Sequence, residues 1–361
     1  MFAGTAAVLM AAVLFFSVPV SAISAEKAML LDAATGRVIY EKNADDRSLI
    51  ASTTKIMTAL VVCEQCNVLD RVRIPEEAVG IEGSSVYLQA GEVLTVQELL
   101  YGLMLRSGND AATALAIYCG GTVEGFAQLM NDEAARIGLK NTHFVNPHGL
   151  DAPEHYSTAR DLAHLAAYAM ENPIFRQTVS TRNVTIGNRS LQNHNKLLWQ
   201  VAGADGVKTG YTKAAGRILV SSAAREGRRL VAVTINAPDD WADHAAMLED
   251  GFSKYTVRRI ITAGECLGTV EVAGGESSYA RLLAAEDFSY ALAADEEVTV
   301  APSGTGFVYA PVVEGADAGY AWVRVDGKAV GKVALHYGKT VERIPEADRS
   351  FWGRIFGGNG K

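Results

Sequence analysis

In the N-terminal two-thirds of the chain, strand-like patterning occurs only near the two ends, and this constrains the fold more than any other feature. Residues 28–32 and 37–40 are short apolar runs flanking Ala33-Ala34-Thr35-Gly36, which reads as a hairpin with a turn closed by glycine. Residues 207–212, 217–223 and 230–236 are three more such runs separated by glycines, with Glu226-Gly227 where a hairpin turn is needed. The stretch between reads as helix. From Leu49 onward Ile56, Leu60 and Val61 recur at helical spacing with Ala and Met between them, the pattern of a helix buried on most sides. Thr95 and Glu98 form a capping box before Leu99, Leu100, Leu103 and Met104, which predicts a second helix to about Arg106 that stops at Ser107-Gly108-Asn109. Residues 110–118, 125–137 and 159–170 are also helical in pattern, the last opened by Thr158 and Asp161, and a helix over 240–255 follows the strands. One sheet must therefore be assembled from both ends of this region, with helices covering its faces.

Beyond residue 263 the texture changes. Residues 269–272, 297–300 and 322–325 alternate with period two, and Asp326-Gly327 turns the last of them into 330–335. A small C-terminal β-sandwich domain over 263–345 is expected after a larger domain over 26–262, as befits a chain of 361 residues. Hydrophobic residues at 49% exclude a disordered chain. Lys+Arg of 33 against Asp+Glu of 41 gives a net charge of −8, so there is no basic excess to neutralise a phosphate backbone, and nucleic acid is not a partner. The second domain, with nine basic and thirteen acidic residues after Glu265, offers no electrostatic membrane or DNA surface. Asp295-Glu296-Glu297 reads as a solvated charge run.

The first 25 residues carry no charge, and residues 6–20 form an apolar run too short for a comfortable membrane span. The small-x-small patterns ending at Ala22 and Ala25 mark residues 1–25 as a secretory signal peptide lacking the usual basic start. In the tail, 346–361, Phe351, Trp352, Ile355 and Phe356 share one helical face with Arg349 and Arg354 nearby. That pattern fits a peripheral membrane anchor and a segment docked on the body equally well. Cys63, Cys66, Cys119 and Cys266 show no framework spacing, and the C-x-x-C at Cys63-Cys66 ends an apolar helix without a second ligand pair, so buried or incidentally bridged thiols are the better reading. His143, His148 and His155 fall at turns without metal-ligand spacing and read as structural.

Three short segments carry chemistry. Ser52 and Lys55 are three apart at the start of the first buried helix, so the amine reaches the hydroxyl without help from distant sequence. Serine needs a base to act as a nucleophile, and lysine serves only when burial or another cation lowers its pKa. Ser107 and Asn109 stand in a loop past a helix end, and Lys208-Thr209-Gly210 lies in a strand. Taken singly these have plain readings: a solvated lysine, a helix-ending turn, an edge strand. In the order S-x-x-K, S-x-N, K-T-G, each in its helix, loop or strand context, they are far more specific.

On these motifs the chain resembles the penicillin-recognising serine acyl-enzymes. Within that superfamily it is similar to low-molecular-mass penicillin-binding proteins, the serine-type D-alanyl-D-alanine carboxypeptidases (peptidase family S11). Residues 141–150, 156–162 and 205–212 extend the likeness, which covers about 26–345. The resemblance implies an α/β (α+β) fold: a β-lactamase/transpeptidase-like domain with a central antiparallel sheet flanked by helices, plus a small C-terminal all-β domain. It implies that Ser52 attacks the carbonyl between the two terminal D-alanines of a peptidoglycan stem peptide. Lys55 takes the proton, and Lys208 keeps Lys55 partly neutral. Ser107 relays a proton to the departing amine, and Asn109 holds Lys55 and a substrate amide. The N–H groups of Ser52 and Tyr211 form an oxyanion hole, each donor typically contributing about 3 kcal/mol. Thr209 and Lys208, with Gly210 in the same strand, face the substrate's free carboxylate. No cofactor and no metal are implied. The partners are stem peptides ending in D-Ala-D-Ala and β-lactam antibiotics, met outside the cytoplasm.

One departure concerns substrate binding: His194 stands where well-known members carry an arginine that helps bind the carboxylate, and a histidine satisfied in a loop explains it as well. A serine β-lactamase shares the three motifs, but no E-x-x-L-N stretch precedes K-T-G and the extra β domain argues against it. A transpeptidase would use the same residues with an amine as acceptor. A non-catalytic stem-peptide-binding protein would need a defect that these residues do not show. A Ser-His-Asp hydrolase is disfavoured because no G-x-S-x-G elbow occurs.

Overall fold

The computed structural model describes residues 23–304 and 306–345. They form two compact units that divide between Ser253 and Lys254. The leader and the tail fall outside the described residues, except for 23–25. These three belong to the folded body: Ile23 and Ala25 are buried, and Ser24 donates through its N–H and its hydroxyl to Asp243 at 3.0 and 2.7 Å. Among the described residues no helix is long and apolar enough to cross a membrane.

The N-terminal unit begins with the expected hairpin, β1 (Lys27–Asp32) and β2 (Val38–Lys42). A 3₁₀ turn over Ala51–Thr54 leads into α1 (Lys55–Gln65), and a ribbon of β3 (Arg71–Arg73) and β4 (Val93–Thr95) precedes α2 (Val96–Leu105). Next come α3 (Asn109–Gly120), α4 (Val123–Arg136), α5 (Ala159–Ala169) and α6 (Pro173–Ser180). After the ribbon of β5 (Asn183–Ile186) and β6 (Arg189–Gln192) and the short α7 (Leu197–Gln200), the chain forms β7 (Ala204–Thr212), β8 (Gly216–Arg225), β9 (Arg228–Ile235) and α8 (Asp240–Lys254). The sheet order is β2-β1-β9-β8-β7, with every neighbouring pair antiparallel. The pairing of β1 with β9 joins the two ends of the unit, and β7 is left at an edge. The small ribbons were not legible in the sequence because three- and four-residue strands carry too little alternation. Helix α6 had a signal that was passed over: Asn172 caps it with Pro173 at its first turn.

Burial on both faces explains the sheet's composition. Along β1, Ala28 and Leu30 join Leu230, Ala232, Met247 and Leu248 in the core beneath α8, whereas Met29 and Leu31 join Val231, Val233 and the helical layer on the other side. Helix α1 is buried on every side from Lys55 to Cys63. Cys66 at its end is bridged to Cys119 of α3, and Cys63 is free and buried, its thiol pushed up to about 12 by burial. The Thr95/Glu98 box is complete. At α5 only half of the box forms: Thr158 accepts from the Asp161 N–H, but the Asp161 carboxylate instead takes the Asn141 N–H and the Thr142 hydroxyl, each at 2.7 Å, fastening the loop over 141–150 to the helix.

The second unit is all-β. A six-stranded sheet has the order β14-β16-β17-β12-β11-β15, built from β11 (Cys266–Ala273), β12 (Tyr279–Ala284), β14 (Val298–Ser303), β15 (Phe307–Tyr309), β16 (Asp317–Val325) and β17 (Lys328–Tyr337). Beside it, β10 (Thr256–Ile261) pairs with β13 (Phe288–Leu292). Strand β10 lies before the textural change at 263 because most of its residues are exposed and show no inward alternation. Asp326 and Gly327, both at positive φ, make the turn between β16 and β17.

His244 of α8 ties that helix to the sheet. It is fully buried, with Nδ1 at 2.6 Å from Ser221 Oγ of β8 and Nε2 at 2.9 Å from Thr234 Oγ1 of β9. Burial lowers its pKa from 6.5 to about 3. The unfolded chain therefore binds a proton here below about pH 6.5 that the folded chain refuses until about pH 3. The stability supplied by the neutral ring is present above 6.5 and is lost as pH falls toward 3. The urea midpoint is expected to fall from pH 7 to pH 4, and to fall less steeply in His244→Gln.

Candidate active site

The nucleophile candidate sits in the 3₁₀ turn rather than in the α-helix. Side chains three apart eclipse in a 3₁₀ turn, and Ser52 Oγ lies 3.0 Å from Lys55 Nζ. Ala51 just before it has φ 44°, a left-handed conformation that costs a non-glycine residue about 1 kcal/mol or more unless its surroundings enforce it. Gly149 supplies part of that enforcement. With φ +86°, it packs so closely that a Cβ there would lie 1.8 Å from Ala51 O, so only glycine fits.

Lys55 has no solvent exposure and donates to three oxygens: Ser52 Oγ, Asn109 Oδ1 at 2.7 Å and the His148 carbonyl at 2.6 Å. Burial lowers its pKa well below the ordinary lysine value, the nearby charge of Lys208 lowers it further, and Asp110 opposes both. Carbonyl oxygens can only accept. In the neutral amine, then, two N–H bonds serve Asn109 and His148, and the lone pair is left for the Ser52 hydroxyl proton. The His148 carbonyl is held in place by its loop: Thr58 donates to Pro147 O, and Asn146 accepts from the Gly149 N–H. Buried His155 accepts from the Val145 N–H and donates from Nε2 to Thr54 at 2.8 Å.

Asn109 opens α3, while Ser107 stands in the loop before it with φ 63°. Asn109 Nδ2 donates to Glu82 O, fixing the amide so that Oδ1 faces Lys55. Its neighbour Asp110 is buried and accepts from the N–H groups of Val86 and Leu88 and from the Ser85 hydroxyl, pinning the segment that brings Ser84 to the cleft.

The third motif lies on the edge strand β7. Lys208 is 1% exposed, donates to Thr209 O at 2.7 Å, and burial lowers its pKa to about 7. Gly210 lets β7 approach the Ser52 turn: a Cβ there would meet Ser52 N, Thr53 N and Ile50 O, all at 3.3 Å. A cleft of about 330 Å³ is lined by Ser52, Ser107, Thr209, Gly210, Tyr211 and His194. His194 is exposed, and its pKa is lowered to about 4 by partial burial and by the charges of Arg106 and Lys208. It therefore offers the cleft a neutral ring at neutral pH.

All nine residues picked out in the sequence thus lie in or directly behind one cleft. Several partners were missed: the His148 carbonyl, Gly149, Asp110 and Ser84, together with Arg217, Asp240 and Trp241, which line the same cleft. Of these, His148 and Gly149 lie in the 141–150 stretch that extends the likeness, and Arg217 faces Tyr211 across the hairpin that follows K-T-G. Among the described residues no three His, Cys, Asp or Glu side chains converge in a way that would hold a metal ion.

Comparison with known proteins adds an independent line. A family described as D-alanyl-D-alanine carboxypeptidase matches residues 15–239, and the C-terminal domain of penicillin-binding protein 5 matches residues 255–343. The D-alanyl-D-alanine carboxypeptidase DacF of Bacillus subtilis is 33% identical over 324 residues, covering 85% of this chain and 83% of that protein. Penicillin-binding protein 5 of Haemophilus influenzae superposes with a TM-score of 0.77 at 30% identity, over 89% of this chain and 98% of the other. The Streptomyces K15 DD-transpeptidase superposes with a TM-score of 0.61 at 36% identity, over 64% of this chain and 98% of the other.

The approach at Gly210 yields a test. In Gly210→Ala the Ser52 turn must give by a few tenths of an ångström, and acylation at Ser52 is expected to slow roughly tenfold while the fold is retained. Stopped-flow acylation rates and the thermal midpoint, read together, check this.

Proposed function

The chain belongs to the D-alanyl-D-alanine carboxypeptidase family, and on that footing we propose that it removes the terminal D-alanine from peptidoglycan stem pentapeptides through an acyl-enzyme on Ser52. The observation that carries this reading is the buried Lys55 amine 3.0 Å from Ser52 Oγ, with its pKa depressed and two of its hydrogens committed to carbonyl oxygens.

In this reading neutral Lys55 takes the hydroxyl proton as Ser52 Oγ bonds to the carbonyl carbon between the two D-alanines. The N–H groups of Ser52 and Tyr211 take the charge that develops on the carbonyl oxygen, and the closeness of Gly210 to Ser52 N supports their sharing one site. The C–N bond then breaks, and Ser107 relays the proton taken up by Lys55 to the departing D-alanine amine, which leaves Lys55 neutral again. Asn109 holds Lys55 and meets a substrate amide, and the hydroxyl of Thr209 meets the substrate's carboxylate. Water, activated by the same amine, hydrolyses the ester and frees Ser52. Penicillins acylate the same hydroxyl. We place this activity outside the cytoplasm, at the outer face of the membrane and in the cell wall space. The leader-like start supports that location, and so does the Cys66–Cys119 disulfide, a bond that persists in oxidising compartments. Transfer to an amine acceptor remains a second reading, favoured by the likeness to a protein described as a DD-transpeptidase.

Labelled penicillin is expected to attach at Ser52 alone, and Ser52→Ala to lose D-alanine release from a D-Ala-D-Ala pentapeptide by about 10⁴-fold or more. Label elsewhere, or release that survives the substitution, overturns the assignment. Lys208→Met removes a cation whose charge lowers the Lys55 pKa, so that pKa rises. The acid limb of the residual acylation rate is therefore expected to move to higher pH, which a pH profile with a chromogenic β-lactam measures.

A further inference from the structure

The steps above leave the substrate's terminal carboxylate without a permanent positive charge to meet it. His194, where the resemblance leads one to look for that cation, is neutral above about pH 4. Lys208 is almost wholly buried, donates to a backbone carbonyl, and has a pKa of about 7. Its charge is therefore partial at neutral pH.

The cleft continues along β7 past Gly210 to Arg217, Asp240 and Trp241. Among the described residues, Arg217 is the one arginine or lysine that lines it, and a guanidinium is a permanent cation. Its position follows from the sheet register. It stands opposite Tyr211 on β8, one strand over and one residue beyond the glycine that abuts Ser52 N. From the scissile carbonyl to the acid group a terminal residue spans less than about 4 Å. The carboxylate of a substrate reacting with Ser52 must then lie within one residue of Gly210, inside the reach of an arginine side chain on the adjacent strand.

The guanidinium is also held in place. Nη2 donates to both oxygens of Asp240, at 2.6 and 2.9 Å. Asp240, 3% exposed, also accepts from the Trp241 N–H, and the Trp241 ring centroid lies 6.0 Å from the guanidinium carbon. The Arg217 side chain itself is 44% exposed, so water, and hence a ligand, can reach it. The bonds to Asp240 are made by one of its three nitrogens, whereas carboxylate recognition by arginine uses two N–H donors at once.

Resting on the carboxypeptidase reading, we propose that Arg217, oriented by Asp240, receives the C-terminal carboxylate of the substrate together with the Thr209 hydroxyl, and so sets the requirement for a free acid at the end of the stem peptide. Asp240 is a positioning residue in this scheme, and Arg217 takes over a task that His194 is too weakly charged to perform.

The test compares two substrates in the same protein: a peptide ending in D-Ala-D-Ala with a free acid, and its C-terminal amide. The readout is the ratio of kcat/KM for acid over amide, in which any shortfall of folded protein cancels. Arg217→Gln is expected to lower that ratio roughly 10- to 100-fold, mostly through KM for the acid, as loss of a charge-assisted pair does. Arg217→Lys is expected to fall between Arg217→Gln and the natural protein. A ratio in Arg217→Gln within about twofold of the natural protein's overturns the inference and leaves the carboxypeptidase reading standing. If the natural protein releases nothing from either peptide, that reading falls, and this inference falls with it.

Discussion

A lysine amine sealed from water sits at the centre of this protein, and much of the surrounding structure exists to make that tolerable. Burying an ammonium is costly, and the cost is relieved either by partners or by loss of the proton. Here both occur at once. Asn109 and the His148 carbonyl supply acceptors, while Lys208 and the dry surroundings favour the neutral form. The result is an amine whose orientation is set by two carbonyl oxygens and whose remaining valence faces Ser52. Removing the loop over 141–150 would remove an acceptor and the packing on Ala51 together. That explains why Asp161, Asn131 and His155 all spend hydrogen bonds on holding the loop.

The second constraint is backbone proximity. The sheet closes β1 against β9 and leaves β7 at its edge, next to the turn that carries Ser52. An edge strand has unpaired backbone groups on its outer side, so it can hold an extended peptide while its side chains face the cleft. Gly210 brings that edge to within van der Waals contact of the Ser52 turn, and the register then fixes what lies beyond it: Tyr211, and across from it Arg217. In the proposed reaction, substrate length and charge are read by a strand, while bond breaking is done from the helical side.

Local chemistry made much of this legible in advance. The hairpins, the Thr95/Glu98 box and the Asp326-Gly327 turn could be read because each rests on residues a few positions apart. The pair Ser52–Lys55 was visible for the same reason, although its 3₁₀ geometry was not, since that turn depends on Gly149 pressing on Ala51 from ninety-eight positions away. The ribbons β3–β4 and β5–β6 escaped because they are too short for a period. β10 escaped because its exposed residues have no inward face to mark.

Sequence by itself determined the element types over most of the chain, and its three short motifs named the chemical groups: three hydroxyls, two amines and an amide, with a glycine in a strand. Only the tertiary structure decided the state of those groups. A pKa depends on which charges and how much water lie within a few ångströms, and those neighbours come from distant segments, as Asn109 and His148 lie 54 and 93 positions from Lys55. The same holds for His194 and Arg217: partial burial and the charges of Arg106 and Lys208 hold the His194 ring neutral, and the Asp240 carboxylate orients the Arg217 guanidinium.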